Sequence, residues 1–385
     1  DPLVSGPKIA GILLGIGLFY ATAAAGRRNR GLWPIVGFVL LTGTLMAGVG
    51  LVGAEWQPPF EYLNQARAWL PLPGGIPGTV GGMVNPNELA GTLSWVLPLM
   101  LACLLAGLRR PTPARLPAML VLLAAMLFIG FMLVATLSRG GMLAGATGLL
   151  LVVTLFLPPR WRLVLAIGLA VVAIALGAYV GNRLDQNLVG DAVGLSGRLE
   201  IWSRALLGIA DFPLTGMGVN AFRRVVHALY PLYSISAEVD LGHAHNHLLQ
   251  AALDLGLPGL VSYVAIWWIS AGLLWSTYRR LHQRRAARHS YYGLMAGLAG
   301  SLLAGWVFGI FDAVALGARP GFLWWLLLGL TAGVHYAVVY SGQSLRRSRR
   351  RSIPQTARPP LTTPTESRPL PRRSPQPLPP SGPPQ

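Results

Sequence analysis

Charge is scarce in this chain. Of 385 residues, 11% are Asp, Glu, Lys or Arg, against roughly 25% in soluble globular domains. With 53% hydrophobic residues gathered in long runs, that shortfall excludes a water-soluble fold and points to a polytopic membrane protein. Lysine is almost missing, Lys8 being the only one. Cysteine is limited to Cys103, inside an apolar run, so no intrachain disulfide framework exists. Acidic residues number 13 against 31 basic ones, giving a net charge of +18. That excess is no nucleic-acid signature. The arginines cluster between apolar runs or in the tail, with no soluble basic face carrying aromatics.

About nine apolar stretches can be read, near 7–25, 32–53, 87–107, 115–137, 141–158, 161–181, 257–277, 291–312 and 321–341. Each approaches the ~20 residues that cross a bilayer core. Arginine clusters at 27–30, 109–115, 160–162, 279–288 and 346–351 fall between alternate spans, which makes those segments cytoplasmic. The predicted fold is therefore an all-α polytopic membrane domain over 1–342. Its outer, periplasmic loops are 54–86 and 182–244, the latter large and helical, with a short outer segment at 313–320. The tail, 343–385, is rich in Arg and Pro and lacks the apolar residues to build a core. It is expected to be a disordered cytoplasmic tail touching anionic membrane lipids. The chain starts at Asp1 and enters its first span at once. An outside N-terminus predicts an odd number of upstream spans, three by this count, with a cleaved signal peptide as the weaker alternative.

The chemistry-bearing residues gather on the outer segments. In "SGRLEIWSRALLGIADFPLTGMGVNAF" (196–222), Leu199, Trp202, Leu206 and Ile209 recur at helical spacing. An amphipathic helix on the outer membrane surface is expected, opened by Ser196-Gly197 and closed by Asp211 and Pro213. Arg198 stands at its start, where the helix dipole disfavours a cation. Either a bound anion or a salt bridge to Asp191 or Glu200 accounts for it. Arg139, in "TLSRGG", sits where one span ends and the next begins. It either snorkels to the headgroups or lines an anion site. Of Arg223 and Arg224, in "FRRVVH", one is expected to be solvated and the other engaged.

"NPNELAG" (85–91) reads as the start of a spanning helix, with Asn85 as N-cap, Pro86 in the first turn and Glu88 third. Asn87 and its polar neighbours could also hold sugar hydroxyls. "HAHNHLLQAALDLGLPG" (243–259) packs three of the seven histidines on alternate positions. Asn246 is a natural N-cap, Gly256 a natural helix terminator and Pro258 a breaker, so 247–255 is a half-helix preceding a full span. Metal binding, packing and acid–base work are all open to these rings. No cysteine or carboxylate cluster nearby completes a metal site, Asp240 and Asp254 being isolated. A helix N-terminus favours a neutral imidazole, the form a general base needs. Arginines with a neutral histidine beside a bilayer suit a lipid phosphate and a hydroxyl. Glycosyl transfer from a polyprenyl-diphosphate sugar fits these parts without metal or cofactor.

These four motifs, in order across about 80–280, resemble the O-antigen ligase and O-antigen polymerase superfamily. His245-Asn246, nine residues, then Gly256-x-x-Gly259 fits the ligase hallmark. The resemblance implies a bundle of twelve helices in the full chain, nine of them here, in the bacterial inner membrane. It implies inverting, metal-independent transfer of a glycan from undecaprenyl diphosphate to a lipid A-core or other glycan acceptor at the periplasmic face. His245 would match the catalytic base, and Arg139 and Arg198 the diphosphate-binding arginines. Arg223 or Arg224 would be a third, with Asn246, His243 and Asn87 beside them. A lipid-linked glycan polymerase, a protein glycosylation enzyme and a bicarbonate or solute transporter compete. Nearly charge-free spans and the absence of an internal repeat weigh against the transporter.

Overall fold

The computed structural model describes residues 2–28, 31–66, 83–109, 111–158, 160–162, 164, 195–283, 290–313, 316–318 and 320–339. Among them the chain is helical, with one isolated bridge, Ala54 to Val84, and no extended sheet. Ten α-helices occur there: α1 Pro2–Ala25, α2 Leu32–Gly53, α3 Pro86–Leu108, α4 Leu116–Ala135, α5 Arg139–Phe156, α6 Leu195–Asp211, α7 Phe222–Leu229, α8 His247–Gln283, α9 Ser290–Phe311 and α10 Gly321–Val339. Eight of them are long and apolar enough to cross a membrane. The protein is thus an all-α polytopic membrane protein. The span expected near 161–181, the start of the 182–244 loop and the tail from 343 lie outside the described residues.

Burial follows each helix's place in the bundle. α3 is apolar on every side and buried along most of its length, as is α10. Around them packs one core containing Trp95, Leu99, Leu298, Phe308, Leu323 and Trp324. α1 and α4 instead expose Leu13, Leu14, Tyr20, Val121 and Leu127, as helices facing lipid do. One end of the bundle carries the arginines between helices, and two of them are tied to the end of α5. Arg109 donates to the carbonyl of Phe156 at 2.6 Å, and Arg162 donates to those of Leu157 and Leu155. Cations on the last carbonyls of α5 complement its dipole.

The opposite end holds the segment that precedes α8, which has a small core of its own. Ile201 and Ala205 of α6, Phe222 and Val226 of α7, Ile235, Leu241 and Leu253 of α8 are all buried together. Ile209 packs inward with Ile201 and Ala205, while Leu199 and Leu206 are exposed. The helix uses two apolar faces, one for its neighbours and one left outward.

The half-helix is present as expected. α8 runs from His247 and breaks at Gly256, whose φ of 71° lies in the left-handed region. Asn246 caps it, accepting from the N–H groups of Leu248 at 2.9 Å and Leu249 at 3.1 Å. A break leaves main-chain groups unpaired, and the 213–220 loop supplies partners. Met217 N–H donates to the carbonyl of Leu253 at 2.7 Å, and Leu257 N–H to that of Pro213 at 2.7 Å. Asn220 N–H donates to the Asp254 carboxylate at 2.9 Å. Gly216 and Gly256 meet backbone to backbone at this strap, and a side chain on either would overlap the other strand of chain.

Candidate active site

The residues just before α8 turn back toward the C-terminal end of α9. His245 has φ 48°, a left-handed conformation that costs a non-glycine residue about 1–3 kcal/mol. That turn aims its ring at Asp312, the first residue past α9. His245 Nδ1 lies 3.0 Å from Asp312 Oδ1, and His243 Nε2 lies 3.5 Å from the same oxygen. The two rings meet edge to face at 4.5 Å. Asp312 also accepts from the N–H of Ala313 at 2.8 Å. Asn246 ties the arrangement across helices, donating to the carbonyl of Ile310 at 3.1 Å.

Proton positions follow from these partners. His245 N–H donates to His243 Nδ1 at 3.2 Å, so that nitrogen is an acceptor and a neutral His243 carries its proton on Nε2. Burial is the main force on His243, pushing it down to about 4 against the attraction of Asp312, with the charges of His245, Lys8 and Arg198 also lowering it. Burial opposes ionisation of Asp312. The hydrogen bond with His245, the neighbouring histidines and the Ala313 N–H outweigh it and hold the carboxyl below its ordinary range. An ionised Asp312 requires His245 to present Nδ1–H, which leaves His245 Nε2 as a lone pair. His245 is 17% exposed against 12% for His243, so it is the ring a substrate reaches more easily.

Asp312 is the residue that sequence reasoning missed. No carboxylate near the histidines in sequence completes a ligand set, yet Asp312 does so in space. The ligand atoms of His243, His245 and Asp312 lie within 4.8 Å of one another, close enough to hold a metal ion. The signal available was one acid closing an otherwise charge-free span.

The arginines divide into two kinds. Arg223 is bound to Asp240 through two of its nitrogens, and that pairing raises its affinity for its proton. Arg224 is exposed. Of the two, Arg223 is therefore the engaged one. Arg198 is half-buried, and its Nε is buried without a hydrogen-bond partner. Glu200, one of its two expected partners, is taken by Arg204 at 3.8 Å and by the N–H groups of Tyr233 and Ser234. Asp191, the other, lies outside the described residues. The charge of Arg198 contributes to the electrostatics at His243. Arg139 opens α5 behind Ser138, whose hydroxyl accepts from Gly141 N–H at 3.2 Å. It is exposed and has no ion pair among the described residues. Gly140 beside it abuts Phe311, so that a β-carbon there would lie 3.2 Å from the phenylalanine Cβ. Arg139 thus sits next to the Phe311-Asp312 corner.

On α3, Asn85 is the expected N-cap, accepting from Asn87 N–H at 2.8 Å and Glu88 N–H at 3.4 Å. The Glu88 carboxylate lies within electrostatic reach of Asp312. Asn246 spends both ends of its amide on the helix cap and on Ile310, and has little left for a sugar.

Two residues past His245, His247 occupies different surroundings. Its Nδ1 is 3.1 Å from the hydroxyl of Tyr263, and Trp267 and Trp306 surround its ring. A cavity of about 20 Å³ opens there, lined by Trp95, His247, Tyr263, Trp267 and Trp324 among others. One water needs roughly 10–15 Å³, so this space suits a water molecule and excludes a sugar ring.

A helical membrane bundle with a His–Asp pair at one end, together with arginines that form no ion pair among the described residues, defines a class of protein, and the comparisons show what the chain is similar to. The family model described as O-antigen ligase matches residues 124–264. A protein of Pseudomonas aeruginosa (strain PAO1), named O-antigen ligase, is 29% identical over 259 residues, covering 67% of this chain. The chain spans 58% of that relative's length. The chain is thus similar, over these residues, to proteins of the O-antigen ligase family. The matched segment carries Arg139, Arg198, Arg223, Arg224, His243, His245 and Asn246 but stops before Asp312.

Proposed function

We propose that the protein is a glycosyltransferase of the O-antigen ligase type. It moves a glycan from undecaprenyl diphosphate to an acceptor sugar hydroxyl at the periplasmic face of the bacterial inner membrane. The observation that carries this reading is the 3.0 Å pairing of His245 Nδ1 with Asp312, together with Arg139 and Arg198, which form no ion pair among the described residues. The acceptor, a lipid A-core or another glycan, is a matter of chemistry beyond this site.

In this mechanism the donor diphosphate rests on Arg139 and Arg198, whose planar forks match phosphate oxygens. His245 Nε2 takes the proton of the acceptor hydroxyl, and Asp312 stabilises the imidazolium that forms. The acceptor oxygen bonds to the anomeric carbon. The bond from that carbon to the phosphate oxygen breaks, and its electron pair leaves with the diphosphate. The arginines stabilise that growing charge, usually a large catalytic effect. His245 then releases its proton to solvent. The arginines supply the positive charge a metal would otherwise bring, so the reaction is proposed to need none.

The test is lipid release from a polyprenyl-diphosphate glycan by the purified protein, followed by mass spectrometry with candidate acceptors. His245→Ala should retain donor binding and lose turnover by about 10²–10⁴-fold, the usual worth of a general base. Wild-type turnover should persist in a chelator. Loss of turnover on chelation, restored by one divalent ion, would instead make His243, His245 and Asp312 a metal site.

A further inference from the structure

Lys8 has no place in the mechanism above, and it lies outside the segment matched by the family model. It is the only lysine and sits near the outer end of α1. That end is wedged into the site. Ser5 Oγ donates to the carbonyl of Val219 at 2.8 Å, and Val219 precedes Asn220, which is held by Asp254. The Lys8 carbonyl packs against Gly317, leaving no room there for a β-carbon. Gly317 belongs to the short segment that follows Asp312 and leads into α10. Lys8 therefore lies in the seam between the 213–220 strap and the chain leaving Asp312.

The ammonium is half-buried, and no hydrogen bond or ion pair holds it among the described residues. The charges that face it are Asp254 and Glu88, with Arg223 as the opposing cation, and its own charge is felt at His243 together with that of Arg198. Neither acid closes on it within ion-pair distance. Asp254 is occupied by Asn220 N–H and by Gln250 Nε2, each at 2.9 Å on the same oxygen. A half-buried cation at a membrane boundary with no direct partner is costly unless something anionic joins it. Lysine serves phosphate as a compact point charge with three donors, where arginine serves as a planar fork.

We propose that Lys8 is a further cation of the diphosphate site, contributed by α1 alongside Arg139 of α5 and Arg198 of α6. This rests on the glycosyltransferase reading and extends its binding surface to a helix the family match does not include. Lys8 binds the donor; it does not take part in proton transfer.

Two experiments test it. In the unaltered protein, Lys8 is acylated with an amine-reactive ester and the peptide is quantified by mass spectrometry. Undecaprenyl diphosphate should protect Lys8, and undecaprenol, which lacks the diphosphate, should not. Equal labelling with both lipids overturns the proposal. In kinetics, Lys8→Gln should raise the donor KM about tenfold or more. Its acceptor KM and melting temperature should be unchanged, and Lys8→Arg should recover most of the loss. A Lys8→Gln protein with wild-type donor KM and a lowered melting temperature would assign Lys8 to internal charge balance instead. Wild-type turnover without Lys8 protection rejects this inference alone. Absence of turnover in a folded wild-type sample rejects the glycosyltransferase reading beneath it.

Discussion

His245 and His247 stand two residues apart at the start of one helix and live in different solvents. His245 meets a carboxylate and a second imidazole and is 17% exposed. His247 meets Tyr263, Trp267 and Trp306 and is 6% exposed. The side chains are the same; the neighbours, drawn from distant helices, divide the work. The first ring is the one proposed to exchange a proton. The second holds the half-helix against the bundle, so that the first keeps its aim.

The comparison breaks most severely at Asp312. Asp312→Asn keeps the size of the side chain but removes the charge that selects the Nδ1–H form of His245. Turnover should fall by about 10²-fold or more, with donor binding close to wild type. Little change in turnover would mean that His245 works without its acid. Next comes pH. His243 has its affinity for protons lowered from 6.5 to about 4, so the unfolded chain takes up the proton first as pH falls. Stability is complete above pH 6.5 and is lost between 6.5 and about 4, by roughly 3 kcal/mol at the lower limit. Asp312 loses its contribution in the same direction at still lower pH. Melting curves across that range, repeated on His243→Gln, should lose most of the slope in the variant. The smallest effect is expected at His247→Phe. It leaves the buried Tyr263 hydroxyl without its partner and costs about 1–3 kcal/mol, while turnover at permissive temperature stays within a few-fold of wild type. A collapse of turnover in that variant would show that the aromatic surroundings take part in chemistry.

What the sequence reveals here is what local geometry decides. The Asn246 cap, the half-helix and its end at Gly256 are legible because each depends on residues within a few positions of one another. The same holds for the Asn85 cap and for the end of α6 at Asp211. The partner of His245 is not legible, because Asp312 lies 67 residues away and only the packing of α8 on α9 brings it near. Arg223 illustrates the same limit. Asp240 is 17 residues on, beyond the reach of helical spacing, so which of two adjacent arginines is engaged depends on how the outer segment folds. On α6 the apolar stripe was visible, but both faces carry leucine or isoleucine, and periodicity alone does not say which one meets the protein.

The strap across the break in α8 bears on how the outer segment could be handled at the bench. The main-chain partners of Met217, Asn220 and Pro213 are Leu253, Asp254 and Leu257, and the buried Leu253 side chain is part of the segment's core. All three belong to the membrane helix. A soluble fragment ending before His247 would therefore lack part of its own interior and the hydrogen-bond partners of its longest turn. Antibodies, crosslinkers and ligand screens aimed at this face need the whole protein in lipid or detergent, because its outer surface is folded on its membrane helices.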